Sequence, residues 1–353
     1  MGGRGSGATM VVMETSETSG PRVTIRDVAA AAGVSVATVS NVVNGHAHVR
    51  EGTSRKVLDA IERLGYRPSR AAKSLPAGRT FLLGYCLAGG PTPNAALDSF
   101  LREIAITASG ADLELLLFAR QGDQSPTEPY VELLRRGGAD GFVLADIGYD
   151  DPRARFLAER NIPFACFGRV EDPPGVSWVD IDGATGLRMA VEHLVDLGHE
   201  RIALVGWPEG SLAGDDRIRG AVAALDAAGL EADRIVRSTN EFDRGRQLVA
   251  DLLDRYDPTA VACVSDDLAL GVMAGLRDAG IEPGGQVAVT GFDDTPAAML
   301  TAPGLSSLRQ PMDRVGALLV ERLVAQIRGT TPPEPTLVEP ELVVRASTRT
   351  DDG

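Results

Sequence analysis

The chain has little cysteine, few aromatic residues, no long apolar run and a deficit of positive charge. Among 353 residues only three are cysteines, Cys86, Cys166 and Cys263, far apart and each inside an apolar run. An odd count without metal-ligand spacing excludes a disulfide framework and points to buried thiols in a reducing, cytoplasmic compartment. No apolar run approaches the ~20 residues that a membrane helix needs. Residues 1–20 lack the apolar stretch of a secretory leader and read as a Gly-, Ser-, Thr- and Glu-rich disordered tail, with Met10 and Met13 as alternative starts. Aromatics make up 5%, yet 44% hydrophobic and 24% charged residues are the proportions of a soluble globular protein with length for two or three cores.

The net charge of -14 argues at face value against a polyanionic partner. That average hides a reversal of sign. Residues 21–75 hold nine basic residues (Arg22, Arg26, Arg50, Arg55, Lys56, Arg63, Arg67, Arg70, Lys73) against four acidic ones (Asp27, Glu51, Asp59, Glu62), a net +5 that leaves -19 for the remainder. Such asymmetry points to nucleic acid or membrane contact at the basic segment.

Within that segment Thr24-Ile25-Arg26-Asp27 opens a helix in capping-box style and Gly33 closes it. Ser35 caps a second helix, Val36 to Val43, ending at Asn44-Gly45, and Thr53 caps a third from Ser54 to Leu64 with Val57, Ile61 and Leu64 on one face. Two short helices joined by a Gly-containing turn form a helix-turn-helix unit whose second helix can enter a major groove. Val39, Val42 and Val43 are available for packing, which leaves Val36, Ala37, Thr38, Ser40 and Asn41 for the groove. Val36 and Ala37 suit thymine methyls, Thr38 and Ser40 phosphates or bases, and Asn41 a base edge. Each of these residues is also an ordinary solvated surface residue when taken singly.

After a Pro76-Ala77-Gly78 linker come compact apolar strands at 81–87, 113–118, 141–144, 164–167, 201–205, 260–264 and 287–291. Helical segments such as Ala95–Ser109, Thr185–Leu197 and Leu268–Ala279 alternate with them, the last two closing on Gly198 and Gly280. Continuous apolar strands alternating with helices imply parallel sheets covered on both faces, and the length fits two lobes. Asp266 and Asp293 each follow an apolar strand, which directs their carboxylates to the crevice at strand ends.

The run Val23-Thr24-Ile25-Arg26-Asp27-Val28-Ala29, with Gly33-Val34-Ser35-Val36-Ala37-Thr38-Val39-Ser40-Asn41-Val42-Val43-Asn44-Gly45, resembles the DNA-binding headpiece of the lactose-repressor (LacI/GalR) family of bacterial regulators. The resemblance continues through Leu64-Gly65-Tyr66-Arg67-Pro68-Ser69 and Ala72-Lys73-Ser74-Leu75. Val191–His199, Arg217-Ile218-Arg219-Gly220, Ser265–Gly271 and Gly291-Phe292-Asp293-Asp294 are similar to the family's effector-binding core. The resemblance implies an α/β protein: a helix-turn-helix headpiece on a two-lobed, periplasmic-binding-protein-like core of Rossmann-like parallel sheets. It divides the chain into a tail (1–20), the DNA-binding domain (21–67), a hinge helix and linker (68–78) and the core (79–353), with crossings between lobes near 178–182, 304–308 and 330–337.

For function the resemblance implies a transcriptional regulator, a repressor, that holds operator DNA as a homodimer and answers to a small effector such as a sugar, with no cofactor, no metal, no catalytic residue and no membrane. The DNA-contacting positions carried over are Thr24, Ser35, Val36, Ala37, Thr38, Ser40, Asn41, Asn44, Arg50, Ser69, Ala72, Lys73 and the minor-groove wedge Leu75. The effector positions are Asp182, Arg188, Arg217, Asp266, Phe292 and Asp293. Two departures stand out. Pro76 follows Leu75 directly and ends any hinge helix there. The family's Asp-x-x-Asn-Pro-Phe-Phe segment is replaced by Gly89-Gly90-Pro91-Thr92-Pro93-Asn94-Ala95-Ala96, which removes two aromatics that stack on sugars, with Trp207 and Phe292 as the remaining candidates for a stacking face.

Of three rival readings, two have distinct signatures. A transporter's solute-binding protein shares the core but needs export and has no headpiece. An enzyme would use Asp266 or Asp293 as a base, but neighbouring carboxylates on a helix start do not face each other across a scissile bond. An activator or corepressed regulator has the same sequence features as a repressor. His193 and His199 fit surface or structural roles, and Asp267 and Asp294 fit helix capping or solvation. No G-x-G-x-x-G fingerprint follows the strand ending at Val205, where Gly206-Trp207-Pro208 stands instead. The last residues, Arg349 to Gly353, carry no apolar heptads, so a dimer is expected in place of a tetramer.

Overall fold

The computed structural model describes residues 23–43, 49–66, 78–87, 95–170 and 175–349. The expected contacts at Asn44, Ser69, Ala72, Lys73 and Leu75, the break at Pro76, the tail and the segment beginning at Gly89 lie outside the described residues. Two compact units divide the chain, residues 1–79 and 80–353.

The first unit holds three helices, α1 (Ile25–Ala32), α2 (Val36–Val43) and α3 (Glu51–Leu64). Thr24 donates to the Asp27 carboxylate from both its backbone N (2.8 Å) and its hydroxyl (2.7 Å), which closes the first turn of α1 and holds the Asp27 carboxyl below its ordinary range. Gly33 ends α1 in the left-handed conformation at φ 67°. The third helix starts earlier than expected: the Arg50 carbonyl accepts from the amides of Thr53 and Ser54, so Thr53 sits inside the first turn and does not cap it. Val28, Ala29, Val39, Val57, Ala60 and Tyr66 form the buried centre of the three helices.

The second unit has two lobes. Lobe 1 is a sheet of β1 (Leu82–Leu87), β2 (Glu114–Ala119), β3 (Gly141–Leu144), β4 (Phe164–Phe167), β5 (Trp178–Ile181) and β11 (Thr336–Val338), in the order β11-β5-β4-β3-β1-β2 and parallel throughout. Its helices are α4 (Ala95–Gly110), α5 (Glu128–Arg135), α6 (Pro152–Glu159) and α12 (Met312–Ile327). Lobe 2 is built from β6 (Ile202–Gly206), β7 (Ile235–Arg237), β8 (Ala260–Cys263), β9 (Ala288–Asp293), β10 (Ser306–Arg309) and β12 (Glu341–Val343), in the order β12-β10-β9-β8-β6-β7. Only β12 runs antiparallel to its neighbour there. Its helices are α7 (Gly183–Asp196), α8 (Leu212–Ala227), α9 (Phe242–Tyr256), α10 (Asp266–Asp278) and the short α11 (Pro296–Leu300).

Each strand expected from apolar runs occurs within two residues of its expected position. The strands β5, β7, β10, β11 and β12 have three or four residues each and are interrupted by polar ones such as Asp180, Arg237, Ser306, Ser307, Thr336 and Glu341, so they do not register as apolar runs. The chain changes lobe after Ile181, after Arg309 and between Val338 and Glu341. The second and third changes fall later than the expected 304–308 and 330–337. The reason is register: β10 stays paired with β9 and β12 as far as Arg309, and β11 stays paired with β5 as far as Val338.

Close helix packing sets the walls of lobe 2. A Cβ on Gly220 would lie 1.9 Å from the carbonyl oxygen of Ala184, so α7 and α8 meet backbone to backbone and only glycine fits. This contact fixes the first turn of α7 against the middle of α8, beside the crossing at Asp182.

Candidate nucleic-acid interface and ligand cleft

In the first unit, Ser35 Oγ accepts from the Thr38 amide at 3.1 Å and shares a 2.8 Å hydrogen bond with the Thr38 hydroxyl. Ser35 therefore caps α2, and Thr38 is held at its first turn. Val39 is fully buried, and Val42 and Val43 pack half-buried against the same core. The opposite face presents Val36, Ala37 and Asn41 to solvent, with Thr38 and Ser40 half-exposed. Val36, a β-branched apolar residue, is 42% exposed at the start of the helix, a suitable placement against a thymine methyl. Thr24 and Arg50 are exposed at the starts of α1 and α3.

In the second unit a cleft of about 480 Å³ opens between the lobes. Its walls come from the carboxyl ends of parallel strands: Ala145–Gly148 after β3, Phe167–Arg169 after β4, Asp180 and Ile181 at the end of β5, Trp207 after β6, Asn240 after β7, Asp293 at the end of β9 and Gln310 after β10. This is where open α/β sheets bind ligands, because strand ends and helix N-termini converge there. Phe100 stacks on Phe167 with ring centroids 4.9 Å apart and gives lobe 1 an apolar wall.

Arg217 lies at the centre of the lobe 2 wall. Its guanidinium lies 3.6 Å from the ring centroid of Phe292 and 5.1 Å from that of Trp207, and Nη1 donates to the Val264 carbonyl at 2.5 Å. The same Nη1 is 3.7 Å from Asp293 Oδ1. Burial weakens the hold of Arg217 on its proton, and Asp293 opposes that effect. Burial also pushes the Asp293 carboxyl up to about 8 against the pull of Arg217, and Gln310 Nε2 donates to the same carboxylate. Asp293 and Asp294 both adopt left-handed φ values, 119° and 49°, a cost that side chains bear where a site requires the geometry. Two buried donors of this wall, Arg217 Nε and Trp207 Nε1, have no protein acceptor.

The structure brings Arg217 and Asp293 together at the cleft, with Phe292 beneath Arg217 as a fully buried support. The other expected effector residues are placed elsewhere. Asp266 is fully buried: its Oδ2 accepts from the Thr295 amide (2.7 Å) and hydroxyl (2.9 Å), and its Oδ1 from Ser307, so it pins α10 to α11 and β10. Asp182 caps α7 by accepting from the Thr185 amide at 2.9 Å. Arg188 points outward and pairs with Glu192 one turn on at 2.7 Å. Asp294, expected as a cap or a solvated residue, is instead a buried carboxylate held by Arg309 and Arg345. His193 Nε2 hydrogen-bonds Thr348 Oγ1 at 2.9 Å, a link internal to lobe 2.

Sequence reasoning missed Arg169, Asp180, Asn240 and Gln310. The rule that singled out Asp293, a polar residue at the carboxyl end of an apolar strand, also applies to Arg169 behind Phe164–Phe167. Asp180 and Gln310 were hidden because β5 and β10 carry polar residues, Asp180 in one and Ser306, Ser307 and Arg309 in the other, and so do not read as apolar strands. Among the described residues no cluster of His, Cys, Asp and Glu could hold a metal ion, and no helix is long and apolar enough to cross a membrane.

A three-helix unit with an exposed recognition helix, carried on one chain with a two-lobed core that opens a cleft at its strand ends, defines a ligand-responsive DNA-binding regulator. The family model described as bacterial regulatory proteins, lacI family, matches residues 24–69, and that of a periplasmic binding protein-like domain matches residues 191–348. The HTH-type transcriptional regulator CelR of Thermobifida fusca is 35% identical over 343 residues, covering 92% of this chain and 98% of that protein. Catabolite control protein A of Priestia megaterium is 31% identical, covering 88% and 94%. Among solved structures, a CelR-cellobiose complex matches with TM-score 0.71 at 33% identity over 92% of this chain and all of that one. The lac repressor dimer bound to operator and the anti-inducer ONPF matches with TM-score 0.77 at 28% identity, over 93% and 100%. The chain belongs to the LacI family of transcriptional regulators, and it is a DNA-binding regulator whose operator affinity answers to a small molecule.

Proposed function

We propose that the protein is a cytoplasmic, non-enzymatic repressor that grips a pseudo-palindromic operator as a homodimer and releases it when a neutral sugar fills the cleft between the lobes. Residues 21–67 read the DNA, residues 68–78 link them to the core at 79–353, and the core carries the dimer contact. The DNA-contacting side chains are Thr24, Ser35, Val36, Ala37, Thr38, Ser40, Asn41, Asn44, Arg50, Ser69, Ala72 and Lys73, with Leu75 acting as the wedge at the minor groove. In the cleft Arg217 and Asp293 contact the effector.

The observation that carries the effector reading is the pair of buried donors without acceptors, Arg217 Nε and Trp207 Nε1, at the wall of a 480 Å³ cleft. A buried donor left unsatisfied costs roughly 1–3 kcal/mol, which a ligand oxygen at that point recovers. Trp207, Phe100 and Phe167 supply apolar faces for the carbon side of a ring, and Asp293 and Asn240 supply acceptors for hydroxyls. The carboxylates of Asp146, Asp180 and Asp216 outnumber the guanidiniums of Arg169 and Arg217, and the protonated Asp293 adds no positive charge, which favours a neutral ligand over a phosphorylated one. The CelR relative was solved with cellobiose, a neutral disaccharide, which supports the same class. The non-enzymatic reading is supported by the engagement of the carboxylates: Asp180 and Asp216 are held in ion pairs, and Asp266 is fully enclosed.

The test is operator footprinting while a panel of neutral sugars, including cellobiose, and their phosphorylated counterparts is screened for release. Calorimetry with the active compound on wild type and R217M follows. The expected result is release by a neutral sugar and at least tenfold weaker binding to R217M. Tightened operator binding would establish a corepressed regulator, and equal affinity of R217M would remove the ligand from this cleft. Product formation from the bound sugar would restore the enzyme reading.

A further inference from the structure

The two lobes are joined across the cleft by a charged contact. Arg169 follows β4 in lobe 1. Its Nε donates to Asp180 Oδ2 at 3.0 Å within the same lobe, and its Nη2 donates to Asp216 Oδ2 on the first turns of α8 in lobe 2. Among the described residues this is the only ion pair between a lobe 1 side chain and a lobe 2 side chain. All three residues line the cleft, and the Asp216 side chain is 3% exposed.

We propose that Arg169 and Asp216 form a reversible latch that holds lobe 1 against lobe 2, so that its opening sets the lobe equilibrium on which operator affinity depends. The partners on either side make it a latch and not a permanent staple. Asp216 also accepts from the Ala184 amide at 3.1 Å and from Arg219, and Arg169 keeps Asp180. Breaking the one bond between the lobes therefore strands no buried charge, and the large cost of an orphaned ion is avoided. The planar fork of arginine is what allows one side chain to hold a carboxylate of each lobe at once. Asp216 stands next to Arg217, so an effector drawn to Arg217 competes for the same few ångströms of wall. The chain enters lobe 1 directly from the DNA-binding unit, at Thr80, so lobe 1 is the part whose movement the headpiece feels first. The role of the latch in effector response rests on the cleft reading above, whereas the latch itself does not.

The test uses ligand-free, full-length protein. Spin labels at Glu159 on α6 and Asp254 on α9, both exposed, report the distance between lobes, with Cys86 replaced by serine and the fully buried Cys166 and Cys263 left in place. R169M, D216N, the double variant and R169K are compared with wild type, together with their affinity for the footprinted operator. Both single variants should broaden the distance distribution and change operator affinity at least threefold, with the double variant no further changed than either single. R169K should fall between, since an ammonium cannot span both carboxylates with a planar fork. An unchanged distance distribution, an unchanged operator affinity, or effects that multiply in the double variant would overturn the latch. If R169M does not unfold cooperatively, D216N decides alone, because asparagine retains an acceptor for the Ala184 amide. No ligand enters these measurements, so a failed latch and a failed cleft assignment give separate results.

Discussion

At the scale of single residues, the behaviour of Asp293 follows from where the fold puts it. Its sequence context, the end of an apolar strand, directs it to the crevice, but its proton affinity comes from burial beside Arg217 and Gln310. The folded state holds its proton up to about pH 8, whereas the ordinary value is 3.8, and the buried Asp266 is pushed up to about 6 in the same sense. Between these limits the folded protein binds more protons than the unfolded chain, so stability falls as pH rises. The contribution is fully present below about pH 4 and is lost as pH passes through 8. Urea titrations at steps from pH 5 to 8.5 should show that slope, and D293N, which cannot ionise, should flatten its upper part; an unaltered slope in D293N would assign the dependence elsewhere. The residue scale is also where sequence reading failed most. Asp266 and Asp293 follow strands in the same way, yet Ser307 and Thr295 enclose one while the other meets the cleft. Which neighbours surround a strand end is decided by segments far along the chain.

At the scale of elements, the helices of the DNA-binding unit were legible because their punctuation is local. Thr24 with Asp27, Gly33 and Ser35 set the start and stop of α1 and the start of α2 within a few residues of chain. Ser35→Ala removes the cap and should cost about 1 kcal/mol of headpiece stability. Because Thr38 loses the partner that fixes its rotamer, operator affinity should fall as well, which a gel-shift titration beside thermal unfolding of the first unit checks. Helix α3 was misread by three residues because the backbone carbonyl of Arg50, and not a hydroxyl, collects its first amides. In the core the continuously apolar strands were visible, and the partly polar strands beside the crossings were not. Those strands carry Asp180 and lead into Gln310, so the same polar residues that hid the elements hid two cleft residues.

At the scale of the whole molecule, the charge reversal gives the regulator its character: a +5 segment on a -19 remainder. Attraction to the duplex is concentrated at the basic segment, and the acidic remainder opposes nonspecific adherence. The logarithm of operator affinity should therefore fall linearly with the logarithm of salt concentration, and Arg50→Ala, if that exposed side chain meets a phosphate, should reduce the slope by about one. A slope identical to wild type would remove Arg50 from the phosphate contacts. Amino-acid order by itself determined the helix-turn-helix unit, the alternation of strands and helices and the family, since each rests on spacing within some tens of residues. Tertiary structure alone decided which charges meet. Arg169 and Asp216 are 47 positions apart, Arg217 and Asp293 lie on different elements of lobe 2, and the cleft exists only where two sheets bring their strand ends together. Burial, which sets proton affinities and leaves the Arg217 and Trp207 donors without partners, is a property of that assembly and of no shorter stretch of chain.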